Sequence, residues 1–116
     1  MHDLMLQCAG IAAIAVALVH SVLGETKVFS RATIEPARLR TLIHGVWHCS
    51  TVDWIAGGIL LIVTPLVASE AARHWIVAIV GATYLYAAIG NAWATRGRSV
   101  GWIAMSAVIA LAGAGY

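Results

Sequence analysis

An all-α, integral membrane, up-and-down four-helix bundle is the fold the sequence predicts, and three observations predict it. Of 116 residues, 61 % are hydrophobic and 10 % charged, with seven Lys and Arg against five Asp and Glu. The mean hydropathy is +0.88. The apolar residues fall in long continuous runs rather than in the alternating pattern of barrel strands. A soluble domain carries about 25 % charged residues, so this chain cannot cover a water-facing surface. That excludes a soluble enzyme, a nucleic-acid binder and a disordered tail. Five tryptophans and eleven glycines fit membrane helices, where both residues are frequent.

The elements follow from the requirement of about 20 apolar residues to cross about 30 Å of hydrocarbon. Residues 1–116 form one domain with spans at about 4–23, 36–64, 70–94 and 99–115. The first run, Leu4 to Leu23, is interrupted only by Gln7, His20 and Ser21. The second opens at Pro36, whose fixed φ suits a first helical position, and Thr64-Pro65 ends or kinks it. Ser69 can cap the third, which Gly97 stops. Ser99 can cap the fourth, which is barely long enough to span. A loop of about a dozen residues and two short turns join them. Met1-His2-Asp3 lacks the basic start of a signal peptide, so the first run is expected to be a permanent helix.

Charge sets the expected orientation. Lys27, Arg31, Arg38 and Arg40 fall in the first loop, Arg96 and Arg98 in the last turn, and Arg73 alone on the opposite side. This positive-inside bias places both termini on the outer side of a bacterial inner membrane. Trp47, Trp93 and Trp102 then fall near the inner headgroups and Trp75 near the outer ones, as an aromatic belt. Cys8 and Cys49 differ in depth by more than about 10 Å, too far for a disulfide. The chain has no internal repeat, phosphate loop or paired-cysteine metal motif.

Polar side chains in hydrocarbon are costly and point to function. His20 and Glu25 end the first helix, His44 and His48 begin the second, and Asp53 lies deeper. His20 falls within about 40° of Ala9, Ala13 and Val16 on a helical wheel, a small-residue stripe that faces the bundle interior. His44, His48, Thr51 and Ile55 share one face. Asp53 points about 140° away from His48 and needs another donor, for which Asn91, Trp93 and Tyr86 are candidates.

Two cofactor readings fit. In the first, His20 and His48 hold one haem b, as bis-imidazole ligation does in membrane electron carriers. Arg38, Arg40, Arg96 and Arg98 would then meet the propionates. Electrons would pass to or from a quinone or a membrane partner subunit. In the second, His20, His44 and His48, with Glu25, hold a single zinc, copper or non-haem iron ion. A third reading needs no cofactor: the histidines bond across helices, Glu25 pairs with Arg38 or Arg40, and the chain is an accessory subunit of a larger complex. The lipid bilayer is the common partner of all three, and the small-residue faces also suit a homodimer.

The strings His20-Ser21-Val22-Leu23-Gly24-Glu25 and Trp47-His48-Cys49-Ser50-Thr51 resemble those of a group of small, uncharacterised bacterial inner-membrane proteins with four predicted spans. The likeness covers the first half of the chain and singles out His20, Gly24, Glu25, Trp47 and His48; His44 and Asp53 lie outside it. It implies topology and site but no reaction. Leu42-Ile43-His44 with Val52-Asp53-Trp54 is similar to a pattern in the membrane anchors of succinate dehydrogenase, which help to hold haem b and a quinone. Those anchors have three spans, and the remainder of this chain does not follow them.

Overall fold

A computed structural model describes residues 1–67 and 69–116. Four helices run up and down: α1 His2–Leu23, α2 Ala37–Val67, α3 Glu70–Ala94 and α4 Gly101–Ala114, with a π-helical turn, Gly24–Phe29, continuing α1. No strand occurs among the described residues. Helix α1 packs between α2 and α4, α4 packs on α3, and α2 meets α3 only lightly. The bundle measures 48 × 26 × 18 Å.

Three helical segments, His2–Phe29, Ala37–Val67 and Glu70–Ala94, are long and apolar enough to cross a membrane. Helix α4 has 14 residues, which at 1.5 Å per residue reaches about 21 Å, short of the hydrocarbon thickness. Three of the four expected helices are thus long enough to span, and the fourth is an apolar helix shorter than the 99–115 expected from the sequence. Its exterior is apolar, with Ile11, Leu18, Val22, Val52, Ile79 and Ile103 all more than half exposed. Such a surface suits lipid as the solvent.

Small residues set the packing. Ala9, Gly10, Ala13 and Ala17 are the buried side of α1, a stripe that lets neighbouring backbones approach closely. A Cβ on Gly58 would stand 2.7 Å from the Gly10 carbonyl oxygen, so α1 and α2 cross backbone to backbone there. A Cβ on Gly57 would touch Val80 at 3.4 Å, which marks where α2 meets α3. Tyr84 fills the centre, 1 % exposed. Its hydroxyl donates to the Ala13 carbonyl at 3.2 Å, supplying the partner that a buried phenol needs.

The ends differ in part from expectation. Pro36 lies just before α2, and its carbonyl accepts from Leu39 N at 2.9 Å. Pro65 does not stop α2, which runs on to Val67. The π-helical turn carries the first helix to Phe29 and shortens the loop accordingly. Ser69 does cap α3, accepting from Ala72 N at 3.3 Å. At the other end of α3, Arg96 takes the left-handed position at φ 53, with Arg96 N bonded to Trp93 O and Gly97 N to Ala92 O. That is a Schellman closure in which an arginine, rather than Gly97, occupies the residue that favours glycine. Ser99 stands one place earlier than a cap and accepts from Gly101 N at 3.0 Å.

Arg73 ties the opposite end together. It pairs with Asp3 at 2.8 Å and donates to the Gly115 carbonyl at 3.1 Å, joining α1, α3 and the end of α4. Asp53 departs from expectation. It is exposed on α2 and has no hydrogen-bond or ion-pair partner among the described residues. Tyr86 and Trp93 point outward from α3, and Asn91 lies beside Gly101, so none of the three candidate donors serves it. Cys8 and Cys49 are both free thiols.

Candidate functional site

The basic end of the bundle gathers five of the polar side chains singled out from sequence. Glu25 stands on the π-helical turn, an element that recurs at functional sites. His44 and His48 stand one turn apart on α2. The Nε2 atoms of both imidazoles lie 2.6 Å from one atom, Glu25 Oε1. Three potential ligand atoms, one from each residue, lie within 4.8 Å of one another. The carboxylate side chain is 52 % exposed, so the cluster opens outward rather than into the helical core.

Neighbours hold each ligand. The Ser21 hydroxyl is 3.3 Å from His48 Nδ1. With His48 Nε2–H donating to Glu25, Nδ1 accepts from Ser21. Ser21 and Glu25 are four residues apart across the start of the π-helical turn, so one stretch of chain presents both toward His48. Phe29 meets the His44 ring edge-on, with centroids 4.8 Å apart. Arg40 fixes Phe29 in turn: it donates to the Phe29 carbonyl and, at 2.9 Å, to the Ala32 carbonyl. Its guanidinium lies 5.9 Å from the Phe29 ring centroid. The loop arginine thereby braces the residue that packs on His44.

His20 takes a different direction. Its ring lies parallel to Trp47, with centroids 4.1 Å apart and planes 5° from coincident, and Trp54 lies tilted at 4.6 Å. Trp47 Nε1 donates to the His20 carbonyl at 3.0 Å. The Ser50 hydroxyl spends its single hydrogen on the Trp47 carbonyl at 2.6 Å. His20 Nε2, 3.1 Å from Ser50 Oγ, is therefore the donor there, and its lone pair is on Nδ1. The structure brings Glu25, His44 and His48 together and leaves His20 beside them in an aromatic stack.

Of the arginines expected near a cofactor, Arg40 is committed to carbonyls. Arg38, Arg96 and Arg98 are exposed. Glu25 pairs with the two histidines, where the cofactor-free reading pairs it with Arg38 or Arg40. His74 is remote: it stacks on Tyr116 at 4.4 Å, at the terminal end. The sequence places Trp47 in the headgroup belt and, by resemblance, among the residues of the site, whereas Ser21, Phe29 and Ser50 have no role in that reading. Comparison of the chain with protein-family models, curated proteins and solved structures gives no match in any of the three.

Proposed function

We propose that this chain is a small membrane protein that binds one transition-metal ion through Glu25, His44 and His48. The convergence of two imidazole nitrogens on one carboxylate oxygen, each at 2.6 Å, carries the reading. Two borderline imidazole nitrogens with one hard carboxylate oxygen suit zinc, copper or non-haem iron. Three protein ligands leave coordination positions for water or a substrate, the arrangement of a catalytic or metal-handling centre rather than a closed structural one. An ion would take the two Nε2 positions, each imidazole moving its single hydrogen from Nε2 to Nδ1 with no net loss of a proton. His44 and His48 would then carry hydrogen on Nδ1, and His48 Nδ1–H would donate to Ser21 Oγ. Such an outer partner fixes tautomer and ring orientation in metal sites. Because protons compete with the ion for the same nitrogen and carboxylate lone pairs, affinity should rise with pH.

The distribution of Lys and Arg supports placing this end at the cytoplasmic face of a bacterial inner membrane. Cobalt titration of the detergent-solubilised chain tests the proposal. One equivalent should produce the visible bands of a histidine-ligated ion, and Glu25→Gln should weaken or abolish them. A spectrum unchanged by cobalt, in folded protein, overturns it.

A second reading keeps His20 and His48 as axial ligands of a haem b that passes electrons to a quinone or partner subunit. It is favoured by the matching depth of the two residues: Ser21, next to His20, bonds His48, and Ser50, two residues from His48, bonds His20. It requires His20 to leave Ser50 and the Trp47 face. A Soret band after expression with ample haem supports it, and the absence of one excludes it. If neither cobalt nor haem binds, the cofactor-free accessory-subunit reading is left.

A further inference from the structure

Asp53 is the other polar group that hydrocarbon should not tolerate alone. The apolar part of α2 runs from Leu42 to Val63, and Asp53 stands at its middle, about 15 Å from either end at 1.5 Å per residue. An aspartate side chain is too short to reach a headgroup layer from that depth, unlike the snorkelling lysines and arginines. Its carboxyl is exposed, without a donor in its own chain among the described residues. Intramembrane carboxyls face a protein partner or a water-filled cavity.

The chain itself carries a matching donor that is equally unused. Tyr86 is 84 % exposed, and its hydroxyl has no partner among the described residues. Gly57 meets Val80, and the Trp54 and Tyr84 rings lie 5.6 Å apart. These two contacts set the antiparallel register of α2 and α3, and they put Asp53 and Tyr86 within one helical turn of the same depth. Side chains on a helix lean toward its N-terminus. Tyr86 and Asp53, on antiparallel helices, therefore lean toward each other's level. They cannot meet within one chain, because Tyr86 points 200° around α3 from the core-facing Tyr84, about two residues' rotation at 100° each. A two-fold axis along the membrane normal keeps depth unchanged and makes every contact reciprocal.

We infer that two copies of this chain pair in the membrane through reciprocal hydrogen bonds from Tyr86 of each to the Asp53 carboxyl of the other. The α2 surface flanking Asp53 carries the small residues Cys49 and Ala56, both exposed, and such residues let a second helix approach closely. A partner bearing lysine or arginine at the same depth is the rival occupant. The second copy is preferred because donor and acceptor already occur at one level in this chain.

Energy transfer between donor- and acceptor-labelled full-length chains, reconstituted in phosphatidylcholine vesicles over a range of lipid dilution, tests this. The wild type should show concentration-dependent pairing. Tyr86→Phe, an isosteric change at an exposed position, should weaken pairing about tenfold or more, since each interhelical bond is lost twice in the dimer. Asp53→Asn keeps an acceptor and should pair nearly as the wild type does, whereas Asp53→Leu should not. Wild-type chains that stay monomeric throughout, or a Tyr86→Phe variant that pairs undiminished, overturn the inference. So does a second, different polypeptide co-purifying at one per chain in place of the second copy. The outcome is independent of whether the chain binds metal.

Discussion

Replacing Gly24 by alanine should destabilise the protein, although the same change in an ordinary helix does the opposite. Alanine at a helical position is worth about 1 kcal/mol over glycine. Gly24 is buried with a right-handed φ of −55, so the backbone accepts alanine without strain. The obstacle is Trp47: a Cβ on Gly24 would overlap indole Nε1 and stand 2.7 Å from Cε2 and 2.8 Å from Cδ1. The indole cannot retreat without loss, because its N–H bonds the His20 carbonyl and its face covers the His20 ring. Overpacking costs about 1–3 kcal/mol, the hydrogen bond about 1 kcal/mol and the stack about 0.5–1.5 kcal/mol. Against the gain in propensity, a net loss of about 1.5–4.5 kcal/mol is expected. Denaturant unfolding of the detergent-solubilised chain, followed by circular dichroism, measures it. Gly45→Ala is the control, since a Cβ there meets nothing within 4 Å; it should stabilise by about 0.5–1 kcal/mol. If Gly24→Ala stabilises as much as Gly45→Ala, the proposed Trp47 packing is refuted.

Other consequences follow from the same geometry. Ser21→Ala should lower metal affinity by about 10–100-fold while Ser21→Thr restores it, as competition against a chelator of known affinity would read; equal affinity in all three would remove Ser21 from the site. Arg96→Gly should raise stability by about 1 kcal/mol, because Arg96 sits at φ 53, where a side chain is penalised; a lowered melting temperature would contradict this. Arg73→Met removes the tie between Asp3 and the Gly115 carbonyl. It should speed amide hydrogen exchange at Gly115 and Tyr116, and an unchanged rate would show that Arg73 does not hold that end.

The helical bundle was legible because hydropathy reports on solvent, and lipid demands long uninterrupted apolar runs. The helix ends were less so. Pro65 reads as a stop, yet α2 continues for two further residues, since a proline near the last turn sacrifices only one backbone bond. At the site, matching depth singled out His20 and His48, and depth is one coordinate of two. The missing coordinate was azimuth on the first helix. Ser21 and Glu25 are four residues apart, as are His44 and His48, so each helix presents two polar groups on one face toward the other. His20 precedes that face by one residue, which turns its ring toward Trp47 and Trp54. The π-helical turn that swings Glu25 into place has no local sequence signature. The brace from Arg40 through Phe29 to His44 depends on how the loop folds back, which pattern reasoning does not reach.

The central claim is that Glu25, His44 and His48 form one metal centre, and His44 separates it most sharply from the alternatives. Elemental analysis of wild type and His44→Phe, each reconstituted with zinc and freed of loose metal, tests it directly. The account predicts one zinc per wild-type chain and none above background in the variant, with helical content equal in both. Equal zinc in the two proteins, or none in either, would contradict it.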